Sequence, residues 1–358
     1  MRLQSRLFRA FGHLLARFKP LPDSAAPRNH VIVIDGTQSR MEDGQETNAG
    51  LLYKLLLEAC ELQATTVWYH PGIQGHGFWN WVTIASGWGI NELVLEGYSR
   101  IAAHYRPGDK IYLFGYSRGA YAVRSIAGMI GQIGLVRQTA AKPDTLCQAF
   151  ALYEAHAPSA QVADFHDRYC HASAPIEMIG VWDTVKALGL PYPILTHLAP
   201  MATEFHSPNI GYEVKAGYHA LALDEDRRAY QPVMWKTEPG WDGTLEQVWF
   251  NGAHSDVGGH VWASPDARPL SNIPLTWMAE RAVAHGLKLP EGWQDRFPCD
   301  ETAAMRGPRA GIGKFFFLRA PRLQGSFPGE ALHESAASSQ VNGKLPIAPG
   351  LKLVATEV

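Results

Sequence analysis

Residues 111–120 constrain this chain most: Ile-Tyr-Leu-Phe-Gly-Tyr-Ser-Arg-Gly-Ala sets the pattern G-x-S-x-G between an apolar run and a helix-forming run. A serine in that setting sits on a strained turn that lifts its hydroxyl clear of the sheet. Gly115 and Gly119 flank it because a Cβ at either place would run into neighbouring backbone. The turn opens a helix, and the N–H of Arg118 at its positive end can face a developing oxyanion. The plainer alternative makes the two glycines ordinary turn residues and Ser117 a helix cap. A phosphate loop does not fit, because GxxxxGK[ST] is a different spacing.

The rest of the chain supplies the scaffold that such a turn needs. Apolar runs at 31–34, 65–69, 110–115, 176–182 and 247–250 read as buried strands. Helical spacing covers 47–62, 91–105, 118–133 and 272–285, and a helical signal without strand character covers 140–170. Strands alternating with helices imply a mostly parallel sheet covered on both faces. With 358 residues, 46% hydrophobic and 18% charged, the chain can bury a large α/β core. The expected plan is a basic amphipathic helix and linker over 1–28, then a catalytic domain over 29–290. Cap elements are placed near 140–175 and 190–245, and an irregular C-terminal segment over 291–358.

A serine hydroxyl needs a base. On a sheet of this kind the partners follow in the order Ser, Asp or Glu, His, so the search runs beyond residue 117. The chain has 15 histidines, and context must choose among them. His254 follows the run 247–250 and opens a glycine-rich loop, Asn-Gly-Ala-His-Ser-Asp-Val-Gly-Gly. Catalytic groups of open α/β sheets gather at such carboxyl ends. His206 and His219 fall in or near the expected cap, and His166 and His171 on a helical stretch. Asp183 closes the run 176–182 and can hold the imidazole tautomer. Its plainer role is to cap a following helix. Asp256 is the second candidate acid, with an Asx turn in its own loop as the plainer role. A second oxyanion donor is expected from the N–H of Gly36 or Thr37, with the Asp35 side chain turned away to organise that loop.

At this point the segments resemble an α/β-hydrolase family that includes lipase and phospholipase effectors of bacterial type VI secretion. The resemblance rests on Ile34-Asp-Gly-Thr37 with Thr47-Asn48, Tyr69-His-Pro-Gly-Ile73 and Arg106 through Tyr121 with Arg124. It continues through Val181-Trp-Asp-Thr-Val185, Ala220 through Arg228 and Trp249 through Gly259, covering roughly residues 30–285 in order. It implies an α/β-hydrolase-like fold and a Ser117–Asp183–His254 triad acting on a carboxylic ester of a lipid, with no metal or organic cofactor. An immunity or secretion partner is part of the same expectation. The chain looks short beside the larger effectors and no separate membrane-docking domain is expected in it, so the substrate class carries over less directly than the triad.

Two stretches bear on a lipid substrate. Residues 1–22 place Leu3, Leu7, Phe11, Leu14, Leu15 and Phe18 near one helix face with arginines elsewhere. That suits either a helix resting on an anionic membrane or one packed on protein. The arginines interrupt any signal-peptide core, so synthesis in the cytoplasm is expected, with membrane association or export without a cleaved signal. Phe78, Trp79, Trp81, Val82, Ile84 and Trp88 offer either an acyl-binding patch or aromatic core, and 191–207 a lid. A net charge of -2 provides no field for nucleic acid. Four scattered cysteines suggest buried thiols rather than a disulfide framework. Two rival functions stand beside the hydrolase: a metal-dependent phosphoesterase using Asp35, Asp183, His254 and Asp256, and an inactive hydrolase fold serving as a membrane adaptor.

Overall fold

A computed structural model describes residues 26–74, 88–185, 209–336 and 351–355. The expected N-terminal helix, the aromatic residues 78–84, the lid at 191–207 and His206 lie outside the described residues. The strands in chain order are β1 (Asn29–Ile34), β2 (Thr65–His70), β3 (Lys110–Tyr116), β4 (Ile176–Trp182) and the short β5 (Asn209–Ile210). They continue as β6 (Ala216–Ala222), short β7 (Lys236–Thr237), β8 (Thr244–Phe250), β9 (Glu330–His333) and β10 (Lys352–Val354). The helices are α1 (Asn48–Glu58), α2 (Trp88–His104), α3 (Arg118–Ile133), α4 (Pro143–Glu154), α5 (Ser159–Tyr169), α6 (His254–Gly258) and α7 (Arg268–Ala284).

Eight strands form one sheet in the order β10-β9-β8-β6-β4-β3-β1-β2, and every neighbouring pair is parallel. Alternation within each strand decides which helices cover which face. Ile32, Ile34, Ile111, Leu113, Ile179 and Val181 join a core with Leu95, Tyr98, Ile126 and Met129 of α2 and α3. The intervening Val31, Val33, Tyr112, Phe114, Met178 and Trp182 join Leu52 and Leu55 of α1 and Trp277 and Met278 of α7. Burying a side chain of this size contributes roughly 1.5–3 kcal/mol, so a one-residue slip in any central strand is strongly resisted. This is the expected α/β-hydrolase-like architecture of a mostly parallel sheet with helices on both faces.

The chain passes from β1 to β2 on one side and then to β3 on the other. The strand order therefore switches at β1, and the crevice above the carboxyl ends of β1 and β3 is where such sheets place their chemistry. Local chemistry fixes that edge. Thr47 caps α1 by accepting the Gly50 N–H at 3.1 Å and donates its hydroxyl to Asp35 Oδ2 at 2.6 Å. The start of α1 is thereby tied to the loop after β1.

Three expectations need correction. Residues 190–245 are not all cap, because 216–222 form β6, deep in the sheet between β4 and β8. Its run Ala-Gly-Tyr-His-Ala-Leu-Ala is poor in β-branched residues, which hides it from propensity. The segment 291–358 is not simply irregular surface, because β9 pairs with β8 and β10 with β9. These strands are too short for a periodic signal. Among the cysteines, Cys170 is buried and Cys60 and Cys147 half-buried, but Cys299 is exposed; all four are free. The helices at 143–169 pack on α3 through Leu146, Phe150, Tyr153 and Phe165. Among the described residues no helix is long and apolar enough to cross a membrane.

Candidate active site

Strand β3 ends at Tyr116, and Ser117 follows with φ 58° and ψ −119°, a conformation that costs a side-chain-bearing residue energy. Two glycines permit the bend. A Cβ on Gly115 would lie 2.6 Å from the Gly119 carbonyl oxygen and 2.7 Å from the Ala120 nitrogen. A Cβ on Gly119 would fall on the carbonyl oxygens of Ile34 and Asp35 at the end of β1. The Ser117 N–H donates to the Trp182 carbonyl at 3.0 Å, pinning the turn to the end of β4. Helix α3 starts at Arg118 with no side-chain cap bond from Ser117, so the hydroxyl is left for other work.

His254 opens α6, just past β8. Its Nε2 lies 2.8 Å from Ser117 Oγ, and its Nδ1 lies 2.6 Å from Asp183 Oδ2. The imidazole lies against the ring of Tyr116, 5.0 Å away centre to centre and tilted, and against that of Tyr230, 4.9 Å away and edge-on. The Tyr116 hydroxyl donates to the His254 carbonyl at 3.1 Å, and the His254 N–H donates to Glu225 Oε2 at 3.2 Å. Ring and backbone are both held.

Asp183 also has a positive φ, 41°, and is fully buried. The stretch that a capping Asp183 would open lies mostly at 186–208, outside the described residues. Its Oδ1 accepts the Ala222 N–H at 3.1 Å. The Arg322 guanidinium grips both oxygens, Nη1 to Oδ1 at 2.6 Å and Nη2 to Oδ2 at 2.9 Å. Burial alone would push this carboxyl up, but the Arg322 charge and then the bond from His254 outweigh it and hold Asp183 well below the usual carboxylate range. Arg322 is itself buried, and its Nη1 also donates to the Ala222 carbonyl at 2.8 Å. Sequence reasoning missed it. It stands in a weakly patterned stretch, and only the spatial meeting with Asp183 singles it out.

The Asp35 side chain is turned into its own loop. The buried carboxylate accepts from the Gly36 N–H at 2.6 Å, Ser39 Oγ at 2.8 Å, Thr47 Oγ1 at 2.6 Å and Tyr69 Oη at 2.8 Å. The bond from Gly36 has a consequence for the second oxyanion donor, because that N–H is already engaged. Thr37 is the alternative left, and its Oγ1 is buried without a hydrogen-bond partner among the described residues. Asp35→Ala strands four donors. It is expected to lower unfolding free energy by roughly 2–4 kcal/mol, read from urea denaturation, and an unchanged midpoint would contradict this role.

Other expectations resolve by position. Asp256 turns into its own loop, where it accepts the N–H groups of Ala253 at 2.9 Å, Arg306 at 2.7 Å and Gly307 at 3.0 Å. It shapes the loop that carries His254 and ties residues 306–307 to it, while Asp183 meets the imidazole. His219 is not in a cap but on β6, fully buried, where its Nε2 accepts the Thr184 N–H at 3.0 Å. Burial and then the Arg124 charge push its pKa down to about 3, so it is neutral and supports the backbone beside Asp183. His166 lies on α5, and His171 just beyond it. Among the described residues no three His, Cys, Asp or Glu side chains converge as a metal site would require, and Asp35 and Asp256 are committed to separate loops.

A parallel sheet switching at β1, with a serine on a strained strand-to-helix bend, defines an α/β-hydrolase-like domain. A family described as "T6SS, Phospholipase effector Tle1-like, catalytic domain" matches residues 28–281, and the chain belongs to that family. The uncharacterized protein YEL023C of Saccharomyces cerevisiae is 25% identical over 246 residues, 62% of this chain and 34% of that one. A structure of the Tle1 effector bound to the VgrG spike of the type VI secretion system is 17% identical with a TM-score of 0.38. That match covers 68% of this chain and 54% of the other. An uncharacterized Pseudomonas aeruginosa protein is 16% identical with a TM-score of 0.42, covering 84% and 51%. The chain thus spans about a third of the yeast relative and about half of each solved structure.

Proposed function

We propose that the chain is a serine hydrolase that cleaves carboxylic esters of lipids, acyl esters of phospholipids among them, through Ser117, His254 and Asp183. The observation that carries this reading is the unbroken hydrogen-bonded line from Ser117 Oγ through both imidazole nitrogens to Asp183. The lipid class is supported by membership in a family of phospholipase effector catalytic domains. Export by a type VI apparatus and an immunity partner belong to the same proposal and rest on that description.

In the reaction His254 Nε2 takes the proton of Ser117 as Oγ attacks the ester carbonyl. Asp183 keeps the Nδ1–H tautomer aimed and stabilises the imidazolium. The oxyanion is met by the Arg118 N–H at the head of α3 and by the Thr37 side of the β1 loop. Collapse expels the alcohol, protonated by His254, and leaves an acyl group on Ser117. Water, deprotonated by the same imidazole, then releases the acid. Each proton borrowed is returned, and no metal or organic cofactor takes part.

A fluorophosphonate probe tests the assignment. The wild-type chain should label and Ser117→Ala should not, while chelators leave ester turnover unchanged. Labelling that persists in Ser117→Ala, or turnover abolished by chelation, would sink the proposal.

A further inference from the structure

The residue that completes the site comes from outside the family's matched region. That match ends at residue 281, and Arg322 lies beyond it, in an extended stretch that crosses the loop after β6. The stretch is fixed by backbone bonds, Arg228 N–H to the Leu318 carbonyl at 3.0 Å and Ala320 N–H to the Asp226 carbonyl at 2.8 Å. The rings of Phe316 and Tyr230 pack 5.6 Å apart, and Tyr230 lies against His254. The crossing brings the guanidinium to both oxygens of Asp183, one of which also bonds His254.

We infer that Arg322 is a positioning residue of the active site: its fork locks the Asp183 carboxylate in place and keeps it ionised, so that His254 is held as a base. The inference rests on the triad reading above. Asp183 has four bonds to make and four donors to fill them, namely the Ala222 N–H, the two Arg322 nitrogens and His254 Nδ1. A planar fork with both bonds made permits one carboxylate orientation, whereas an ammonium would permit several.

Charge matters as much as aim. A fully buried carboxylate without a cation tends to take up a proton, and a protonated Asp183 no longer stabilises the imidazolium. The other groups facing it cannot replace Arg322. His219 is neutral, and the Tyr116 phenol is held protonated by burial and then by the Asp183 charge. Glu225 faces Arg322 but is paired with Arg227, Oε2 to Nη2 at 2.5 Å. Among these groups, Arg322 is the cation paired directly with Asp183.

The sign follows. In wild type the Asp183 pKa is depressed, so the anion persists as pH falls. In Arg322→Met burial is opposed only by the bonds from His254 and the Ala222 N–H, so the carboxyl protonates at higher pH and the acid limb of kcat moves upward.

The test combines Arg322→Met, Arg322→Lys, Asp183→Asn and the Arg322→Met/Asp183→Asn pair in the full chain, with an ester substrate and a pH series. Arg322→Met should lower kcat by roughly 10 to 10³, less than the about 10⁴ typical of losing the triad carboxylate, with KM nearly constant. Its acid limb should shift to higher pH. In the Asp183→Asn background the same change should cost little more, because Arg322 acts through that carboxylate. Arg322→Lys should restore part of kcat and the position of the limb. Independently of substrate, the far-downfield proton resonance of the His254–Asp183 bond should be present in wild type and absent in Arg322→Met. Additive losses in the double variant, an unmoved acid limb or an unchanged resonance overturns the inference. Should Arg322→Met fail to fold, the Arg322→Lys kinetics and resonance decide it. If wild-type turnover survives Ser117→Ala, the functional reading itself fails; if turnover depends on Ser117 but is indifferent to position 322, only this inference does.

Discussion

Ser117→Ala is expected to lower ester turnover by roughly 10³ or more while leaving the unfolding midpoint nearly unchanged. The side chain is small, and what is lost is a hydroxyl 2.8 Å from His254 Nε2 rather than any packing. The backbone of position 117 is held by Trp182, Tyr121 and the two flanking glycines, so alanine can keep the bend. His254→Ala should cost a similar factor, and the double variant little beyond either single one. Nucleophile and base act as a unit, so their losses do not multiply. Steady-state rates on a p-nitrophenyl ester measure this. Independent, multiplying losses would mean that His254 does not activate Ser117.

The second large effect is on stability. Gly119→Ala should destabilise the chain by about 3 kcal/mol or more, enough to threaten a domain whose total stability is about 5–15 kcal/mol. The added methyl meets the carbonyl oxygens of Ile34 and Asp35, which are backbone atoms at the end of a central strand. A side chain could rotate away, but β1 is hydrogen-bonded on both sides, to β2 and to β3, and cannot. Helix α3 would have to lift, opening the apolar contacts of Ala120, Val123 and Ile126. Gly108→Ala serves as the control. It has a positive φ of 95° but nothing within 4 Å of its Cβ, so strain alone should cost it about 1 kcal/mol. Equal urea midpoints for the two variants would refute the steric account.

Much of the central sheet was legible because its signals are local. The run 111–116 is apolar and bounded by Gly108 and the serine turn, and the apolar runs 31–34 and 176–182 are dense enough to mark strands. The candidate site residues that close strands, Ser117 and Asp183, inherit that legibility, and His254 lies one short loop beyond β8. What was hidden is what depends on distance in space. β6 carries Ala, Gly and His where a strand is normally recognised by Val or Ile, and it is a strand because β4 and β8 flank it. Its His219, mistaken for a cap residue, is neutral core support. Arg322 has no periodic neighbour at all. An arginine buried against an aspartate far earlier in the chain leaves no trace in either local pattern. The engagement of Gly36 by Asp35 is likewise a matter of side-chain direction, which residue spacing does not encode.

Because all eight strands run the same way, no two neighbours are joined by a tight hairpin, and each contact closes a long loop of chain. Such a topology folds slowly, through species with unpaired strand edges that can be captured by other molecules. Refolding from denaturant, the chain should therefore stay vulnerable to capture for longer than a helical bundle of equal size.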